Sequence, residues 1–191
     1  MVAPATIQAA DSAPLATNVA ETTPLNQSLL QNAGFEDVSG ASIAGWTVAG
    51  HVHVETFGTK AWPTQAYGTK WSGGTRYLAC EKASGLVSQT VSFDWGTRSY
   101  PLKGRLLADF GGVIGAKIRV AIRYTGDSNE DLFREAVRVL DITHHYLRAA
   151  VTLKVPLWAT HIQATVELMP MDGAAKCKIV ADTFNLQVFR P

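Results

Sequence analysis

The chain has 191 residues and a formal net charge of +1, and 47% of its residues are hydrophobic while only 17% are charged. This length and composition fit one domain with a sizeable core plus an appendage. The nearly neutral charge argues against general nucleic-acid binding. No segment approaches the roughly 20 consecutive apolar residues of a membrane span, so no membrane partner is expected.

The beginning of the chain differs from the rest. Residues 1–26 are rich in Ala, Thr and Pro and follow neither the helix period nor the strand period. A segment of this kind cannot build its own core, so we predict an extended arm at residues 1–26 and a folded domain at residues 27–191. The arm also lacks the basic start and the apolar run of roughly 7–15 residues that mark a secretory signal.

From Leu29 onward, short segments of alternating apolar and polar residues are separated by glycine-rich turns. The clearest segments are HVHVETF at 51–57, SGLVSQTVSFDW at 84–95, AKIRVAIRY at 116–124, THIQATVELM at 160–169 and DTFNLQVF at 182–189. Strict alternation means that one face of each strand is buried and the other is wet. This pattern predicts an all-β protein, an antiparallel β-sandwich.

Two features leave alternatives open. Residues 128–142 fit a helix, because Ser128 is a possible N-cap and apolar residues follow at helical spacing, yet FREAVRVLDIT in the same segment also fits a strand. We favour the strand because the neighbouring segments are strands. Cys80 and Cys177 both lie in strand-like segments, and they are either two buried thiols or the partners of a single bridge.

Catalytic chemistry has little support in the sequence. A glycosidase needs two carboxylates at a defined separation, and the candidate residues Glu55, Glu81, Glu135 and Glu167 are scattered through the chain. His51 and His53 share one strand face, but no third zinc ligand is evident. Nucleophile, phosphate-loop and zinc-protease motifs are absent. We therefore predict that the chain is not an enzyme.

A polar segment carries a concentration of aromatic residues. TKAWPTQAYGTKWSGG contains Trp62, Tyr67 and Trp71, accompanied by Gln65 and Lys70. Apolar sugar faces stack on aromatic rings, and sugar hydroxyls need polar neighbours. These five residues are the candidate binding site. They either form a platform for carbohydrate or pack against a neighbouring loop or a protein partner.

Several motifs in chain order resemble carbohydrate-binding modules with a galactose-binding-domain-like jelly roll. SLLQNAGFED followed by AGW is similar to the opening of these modules, and KIVADTFNLQVF is similar to their closing strand. RYLAC, GLVSQTVSF, YPLKGRLLADF and AVTLKVPLWATHIQATVELM resemble the landmarks between them. The resemblance covers about residues 28–190 and implies a jelly-roll sandwich in which Trp46 belongs to the core.

The resemblance also implies a metal site. In this family, the Glu after the Phe of the opening motif and the Asp of the closing strand commonly hold a structural Ca²⁺. The matching residues here are Glu36 and Asp182, with the Gly34 carbonyl as a third ligand. Calcium takes about 6–8 oxygen ligands, so such a site would tie the first strand to the last. The alternative is that both carboxylates accept hydrogen bonds from turn amides.

Two functions from different classes fit the sequence. The first expectation is a structural protein of a tailed-phage particle, a capsid-decoration or tail-associated jelly roll anchored through residues 1–26. It would be made in the host cytoplasm, reside in the virion and form an oligomer with itself or a capsid-like partner. The alternative is an extracellular carbohydrate-binding module of a secreted or cell-surface glycan-active protein. The viral expectation rests on an analogy of fold and chain organisation.

Overall fold

The computed structural model describes residues 27–56, 75–93, 102–112, 116–126, 133–142, 146–170 and 178–190. These ranges contain ten strands: β1 (Val38–Ser39), β2 (Ser42–Ile43), β3 (Thr47–Thr56), β4 (Arg76–Ser92), β5 (Leu102–Gly112), β6 (Lys117–Thr125), β7 (Phe133–Asp141), β8 (Tyr146–Val155), β9 (His161–Met169) and β10 (Lys178–Phe189). No helix in the described ranges has the length and hydropathy of a membrane span. The predicted all-β class is confirmed, whereas the arm at residues 1–26 lies outside the described residues.

The strands form an antiparallel sandwich whose two layers share β3 and β4. One layer has the order β3–β4–β10–β5–β8 and is called the front sheet here; the other has the order β3–β4–β9–β6–β7 and is called the back sheet. Strand β4 belongs to both because it pairs with β10 through residues 78–81 and with β9 through residues 85–92. Strands β1 and β2 form a separate small hairpin.

Two facing glycines allow β3 and β4 to bend from one sheet into the other. A Cβ atom on Gly85 would lie 2.4 Å from Val52 Cγ2, and a Cβ atom on Gly50 would lie 2.4 Å from the Ser84 carbonyl oxygen. The pairing register shifts between Gly50 and Val52 at the same place. Only glycine permits this close backbone approach.

The core lies between the two sheets and is formed by the predicted inward residues. On β6, the predicted face is fully buried or nearly so: Ile118, Val120, Ile122 and Tyr124. On β10, the predicted residues Phe184, Leu186 and Val188 are buried as well. Residues 133–141 form β7, so the strand interpretation is correct for the described part of segment 128–142.

Cys80 is fully buried on β4. Its Sγ atom lies 3.0 Å from the carbonyl oxygen of Ala83 and 3.8 Å from that of Leu168. Cys177 lies outside the described residues, so the question of a bridge between the two cysteines stays open.

Candidate functional site

The opening motif fastens the beginning of the domain to its last strand. Phe35 is fully buried, and its ring centroid lies 5.3 Å from that of Trp46 and 5.0 Å from that of Phe184. The Trp46 indole N–H donates to the carbonyl oxygens of Gln31 at 3.2 Å and Asn32 at 3.1 Å. Trp46 is therefore a core residue, and the three aromatic rings hold residues 31–35 against β10.

Glu36, the next residue, faces the start of β4. Its Oε1 accepts the amides of Thr75 at 2.6 Å and Arg76 at 2.9 Å, and its Oε2 accepts the Thr75 hydroxyl at 2.8 Å. The Arg76 guanidinium in turn donates to the Glu36 carbonyl oxygen at 2.6 Å. Desolvation would raise the pKa of Glu36, but the hydrogen bonds from Arg76 and Thr75 outweigh it, and the pKa is lowered.

Asp182 lies on β10 and is almost completely buried. Its Oδ1 accepts the Thr183 amide at 2.7 Å, while its buried Oδ2 has no hydrogen-bond partner among the residues that the structure describes. Burial raises the pKa of Asp182 to about 7; the Thr183 amide lowers it, and the carboxylates of Glu36 and Asp109 raise it further. A buried carboxylate oxygen without a donor binds either a proton or a cation.

The third carboxylate of this region is already neutralised. Asp109 stands opposite Asp182 in the β5–β10 ladder and accepts a bidentate ion pair from Arg148, at 2.6 Å from Nε and 2.7 Å from Nη2. Among the described residues, no group of three His, Cys, Asp or Glu side chains has the arrangement of a metal site. The two predicted carboxylates, Glu36 and Asp182, nevertheless interact electrostatically, as the pKa of Asp182 indicates.

A second polar group lies at one end of the outer face of the front sheet. Glu55 accepts a hydrogen bond from the Tyr77 hydroxyl at 2.6 Å, contacts His53 Nε2 at 3.0 Å and forms an ion pair with Lys178. Lys178 also lies 3.6 Å from Glu81. Burial would raise the pKa of Glu55, but the hydrogen bonds from Lys178, Tyr77 and His53 lower it to about 2.

The other end of this outer face combines an aromatic ring with polar groups. The guanidinium carbon of Arg105 lies 5.3 Å from the ring centroid of Phe189, and Arg105 Nη2 donates to Gln187 Oε1 at 3.3 Å. Phe189 and Gln187 are half-buried and alternate on β10 with the buried core residue Val188. This arrangement was not predicted from the sequence, although the alternation in DTFNLQVF already places Phe189 opposite the core face.

The predicted aromatic site lies elsewhere in the chain. Trp62, Gln65, Tyr67, Lys70 and Trp71 are outside the described residues. In the sequence, the segment that carries them joins the end of β3, at Thr56, to the start of β4, at Arg76. The sugar-platform and protein-contact alternatives both remain open.

The sequence matches no protein-family model, and no curated protein is significantly similar to it. Solved structures, however, share its fold. The carbohydrate-binding module TmCBM61, in complex with beta-1,4-galactotriose, superimposes with a TM-score of 0.56 and 20% identity, covering 86% of this chain and 99% of the module.

Two other structural neighbours have different functions. The enzymatically active domain of tailspike protein 4 of bacteriophage CBA120 has a TM-score of 0.58 and 10% identity over 85% of this chain, but only 21% of the tailspike chain is covered. The Stig cyclase Fisc from Fischerella sp. TAU has a TM-score of 0.55 and 15% identity, covering 85% of this chain and 97% of the cyclase. At such identities the likeness shows the fold alone. The chain therefore has the jelly-roll β-sandwich fold of carbohydrate-binding modules, a fold that also occurs in a phage tailspike and in a cyclase.

Proposed function

We propose that this chain is a non-catalytic carbohydrate-binding module and that its glycan lies on the outer face of the front sheet. The observation that carries the proposal is the group formed by Phe189, Arg105 and Gln187, which offers a ring for stacking and side chains for hydrogen bonding. The correspondence with nearly the whole length of TmCBM61 supports it. In this proposal the protein acts outside the cell, attached to or accompanying a glycan-active protein.

The aromatic segment between β3 and β4 is part of the same proposal. Both strands belong to the front sheet, so Trp62, Tyr67 and Trp71 are connected to the strands that carry the outer face. Gln65 and Lys70 would supply hydrogen bonds to sugar hydroxyls.

Affinity electrophoresis against a panel of neutral and acidic polysaccharides tests this proposal. We expect retardation of the wild-type chain by at least one polysaccharide, and a loss of affinity of about tenfold in Phe189→Leu, which removes the stacking ring but keeps an apolar side chain. Trp62→Ala combined with Trp71→Ala tests the aromatic segment separately. If no glycan retards the wild-type chain, the proposed function is wrong.

We further propose a structural Ca²⁺ bound between Asp182 and Glu36, with the Gly34 carbonyl as an additional ligand. Asp182 Oδ2 is buried without a donor, which fits a cation, and Glu36 Oε2 accepts only the Thr75 hydroxyl among the described residues. Bound calcium would neutralise the repulsion between the two carboxylates and tie residues 34–36 to β10.

Calorimetry tests the calcium site. After chelation, addition of Ca²⁺ at a hundredfold excess over its Kd should stabilise the wild-type chain by about 2.7 kcal/mol and raise its melting temperature. Asp182→Asn, which removes the negative charge but keeps the shape, should abolish this response. An unchanged melting temperature of the wild-type chain on adding Ca²⁺ would contradict the site.

A structural role in a phage particle is the second candidate function. The tailspike domain of bacteriophage CBA120 supports it through its fold, which covers 85% of this chain. In this candidate, residues 1–26 anchor the domain on a partner subunit or on a second copy of the chain. The oligomeric states of the full chain and of residues 27–191 separate the two candidates.

A further inference from the structure

The outer face of the front sheet carries three cationic side chains beside Phe189. Lys103 and Arg105 lie two residues apart on β5, so they share one face, and their neighbours on the opposite face, Leu102 and Leu106, belong to the core. Lys154 on β8 stands directly opposite Lys103 in the β5–β8 ladder. Lys103, Arg105 and Lys154 are called the cationic cluster here.

No carboxylate of the described ranges compensates the charges of the cationic cluster. Like charges that stand directly opposite each other in an antiparallel ladder repel, and Lys103 and Lys154 form such a pair. None of the three cations forms an ion pair with a carboxylate in the described ranges. By contrast, Arg148 on the same face is neutralised by Asp109.

Arg105 is already held in place for a ligand. Its guanidinium carbon lies 5.3 Å from the centroid of the Phe189 ring, and its Nη2 donates to Gln187. Asn185 and Gln187 lie two residues apart on the same strand, and both are half-buried. The Arg105 guanidinium is therefore oriented by Phe189 and Gln187 before any ligand binds, and no carboxylate in the described ranges forms an ion pair with it.

We propose that the cationic cluster binds the carboxylate groups of an acidic, uronic-acid-containing polysaccharide. This inference rests on the proposed function, and it names the class of glycan. The Arg105 guanidinium matches a carboxylate in a bidentate geometry. Lys103 and Lys154, separated by about 5 Å of strand spacing, meet the same or the neighbouring acidic group, and the part of the half-buried Phe189 ring that Arg105 leaves uncovered contacts the sugar ring.

The charge of the rest of the chain favours a sugar acid over denser polyanions. Nucleic acids and highly sulfated polymers bind where basic charge is extensive, whereas this chain has a formal net charge of only +1. The cations are grouped beside a ring and two amide side chains, Gln187 and Asn185, which is the chemistry of a sugar ring that carries a carboxylate.

Affinity electrophoresis with matched ligands tests the inference. The full-length chain is run against polygalacturonate, its methyl-esterified neutral form, dextran sulfate and single-stranded DNA. We expect polygalacturonate to bind at least tenfold more tightly than the methyl ester, and this preference to weaken as salt increases.

Lys103→Gln combined with Lys154→Gln should lower the affinity for polygalacturonate about tenfold. The matched control, Lys117→Gln combined with Arg134→Gln, removes two positive charges from the back sheet and should leave the affinity unchanged. The front-sheet variant should melt no lower than the wild type because it removes a repulsive pair, so loss of binding is not loss of folding.

Three other outcomes of these binding measurements have different consequences for the inference and for the proposed function. Equal binding of polygalacturonate and its methyl ester, unaffected by the front-sheet variant, leaves the carbohydrate-binding function intact and overturns the inference. If dextran sulfate or single-stranded DNA binds as tightly as polygalacturonate, the chain is attracted to charge density alone. This result also overturns the inference. Absence of binding to every glycan removes both the inference and the proposed function.

Discussion

Thr183 has a φ of 57°, a left-handed backbone conformation that a β-branched side chain disfavours. Its amide donates to Asp182 Oδ1, so the strained residue orients the buried carboxylate. Asn adopts this conformation more readily than Thr. We therefore expect Thr183→Asn to raise the free energy of unfolding by about 1 kcal/mol in urea denaturation.

Thr165→Asn is the matched control for this substitution. Thr165 lies in the regular part of β9, where Asn is disfavoured, so that variant should be less stable than the wild type. A loss of stability in Thr183→Asn would mean that the threonine side chain contributes more than its backbone strain costs.

The carboxylate of Glu55 makes stability depend on pH. Its pKa is about 2 in the folded chain, against 4.5 for an ordinary Glu, so the folded state favours the charged form. The resulting stabilisation is complete above pH 4.5 and is lost as the pH falls from 4.5 through 2. The shift corresponds to about 3 kcal/mol, which the partial exposure of the group reduces to about 1–2 kcal/mol.

We expect Glu55→Gln to lower the free energy of unfolding by about 1–2 kcal/mol at pH 7 and to have almost no effect at pH 2. Chemical denaturation at several pH values measures the difference. Glu135→Gln, which removes a carboxylate from the half-exposed ion pair with Arg119, is the control and should change stability by less than 1 kcal/mol. A difference that stays constant from pH 7 to pH 2 would contradict the assigned pKa.

At the scale of the strands, one close contact joins β5 of the front sheet to β6 of the back sheet. A Cβ atom on Gly104 would lie 1.7 Å from the Tyr124 hydroxyl oxygen and 3.1 Å from Tyr124 Cζ. We expect Gly104→Ala to lower the free energy of unfolding by about 2–3 kcal/mol because the fully buried Tyr124 ring must move. Adding Tyr124→Phe removes the closest atom and should restore about 1 kcal/mol in a double-mutant cycle.

Gly34→Ala is the control for that cycle. Apart from its two chain neighbours, no described residue has an atom within 4 Å of a Cβ added to Gly34, so the change in stability should stay within about 0.5 kcal/mol. If Gly104→Ala and Tyr124→Phe prove additive, the two residues do not interact as the structure indicates.

The strands also show what sequence patterns reveal. The alternation in AKIRVAIRY and THIQATVELM predicts β6 and β9 with the correct inward faces, because a period of two fixes the orientation of each side chain. It does not predict that RYLAC and SGLVSQTVSF form one 17-residue strand. That continuity depends on the close packing of Gly50 and Gly85, which involves residues far apart in sequence.

At the scale of the whole molecule, pairing between distant strands decides which charges meet. Asp109 and Arg148 are 39 residues apart and form a bidentate pair only because β5 and β8 are neighbours in this register. The same register places Lys103 opposite Lys154. Neither pair can be predicted from the alternation of residues within a single strand. The pairing of Glu36 with Asp182 as calcium ligands follows only from the family resemblance and stays a prediction.

The described surface of the folded domain carries few large exposed hydrophobic side chains. Its exposed large hydrophobic residues are four: Val137, Val139, Leu157 and Trp158. A stable interface buries about 800 Å² on each partner and has an apolar centre. Two valines on the outer side of β7 and a pair of residues in the β8–β9 turn are too few to form one. Residues 1–26 are the longest segment outside the described ranges, so their role in self-association is the one to test.

We expect light scattering after size exclusion to give a monomer of about 20.5 kDa for the full chain. Residues 27–191 should also be a monomer, because the proposed module binds glycans without a protein partner. Equal melting temperatures for the two would show that the arm does not stabilise the domain. An oligomeric full chain beside a monomeric truncation would contradict this expectation. Residues 1–26 would then be an assembly device, and the structural role in a particle would become the better account of this chain.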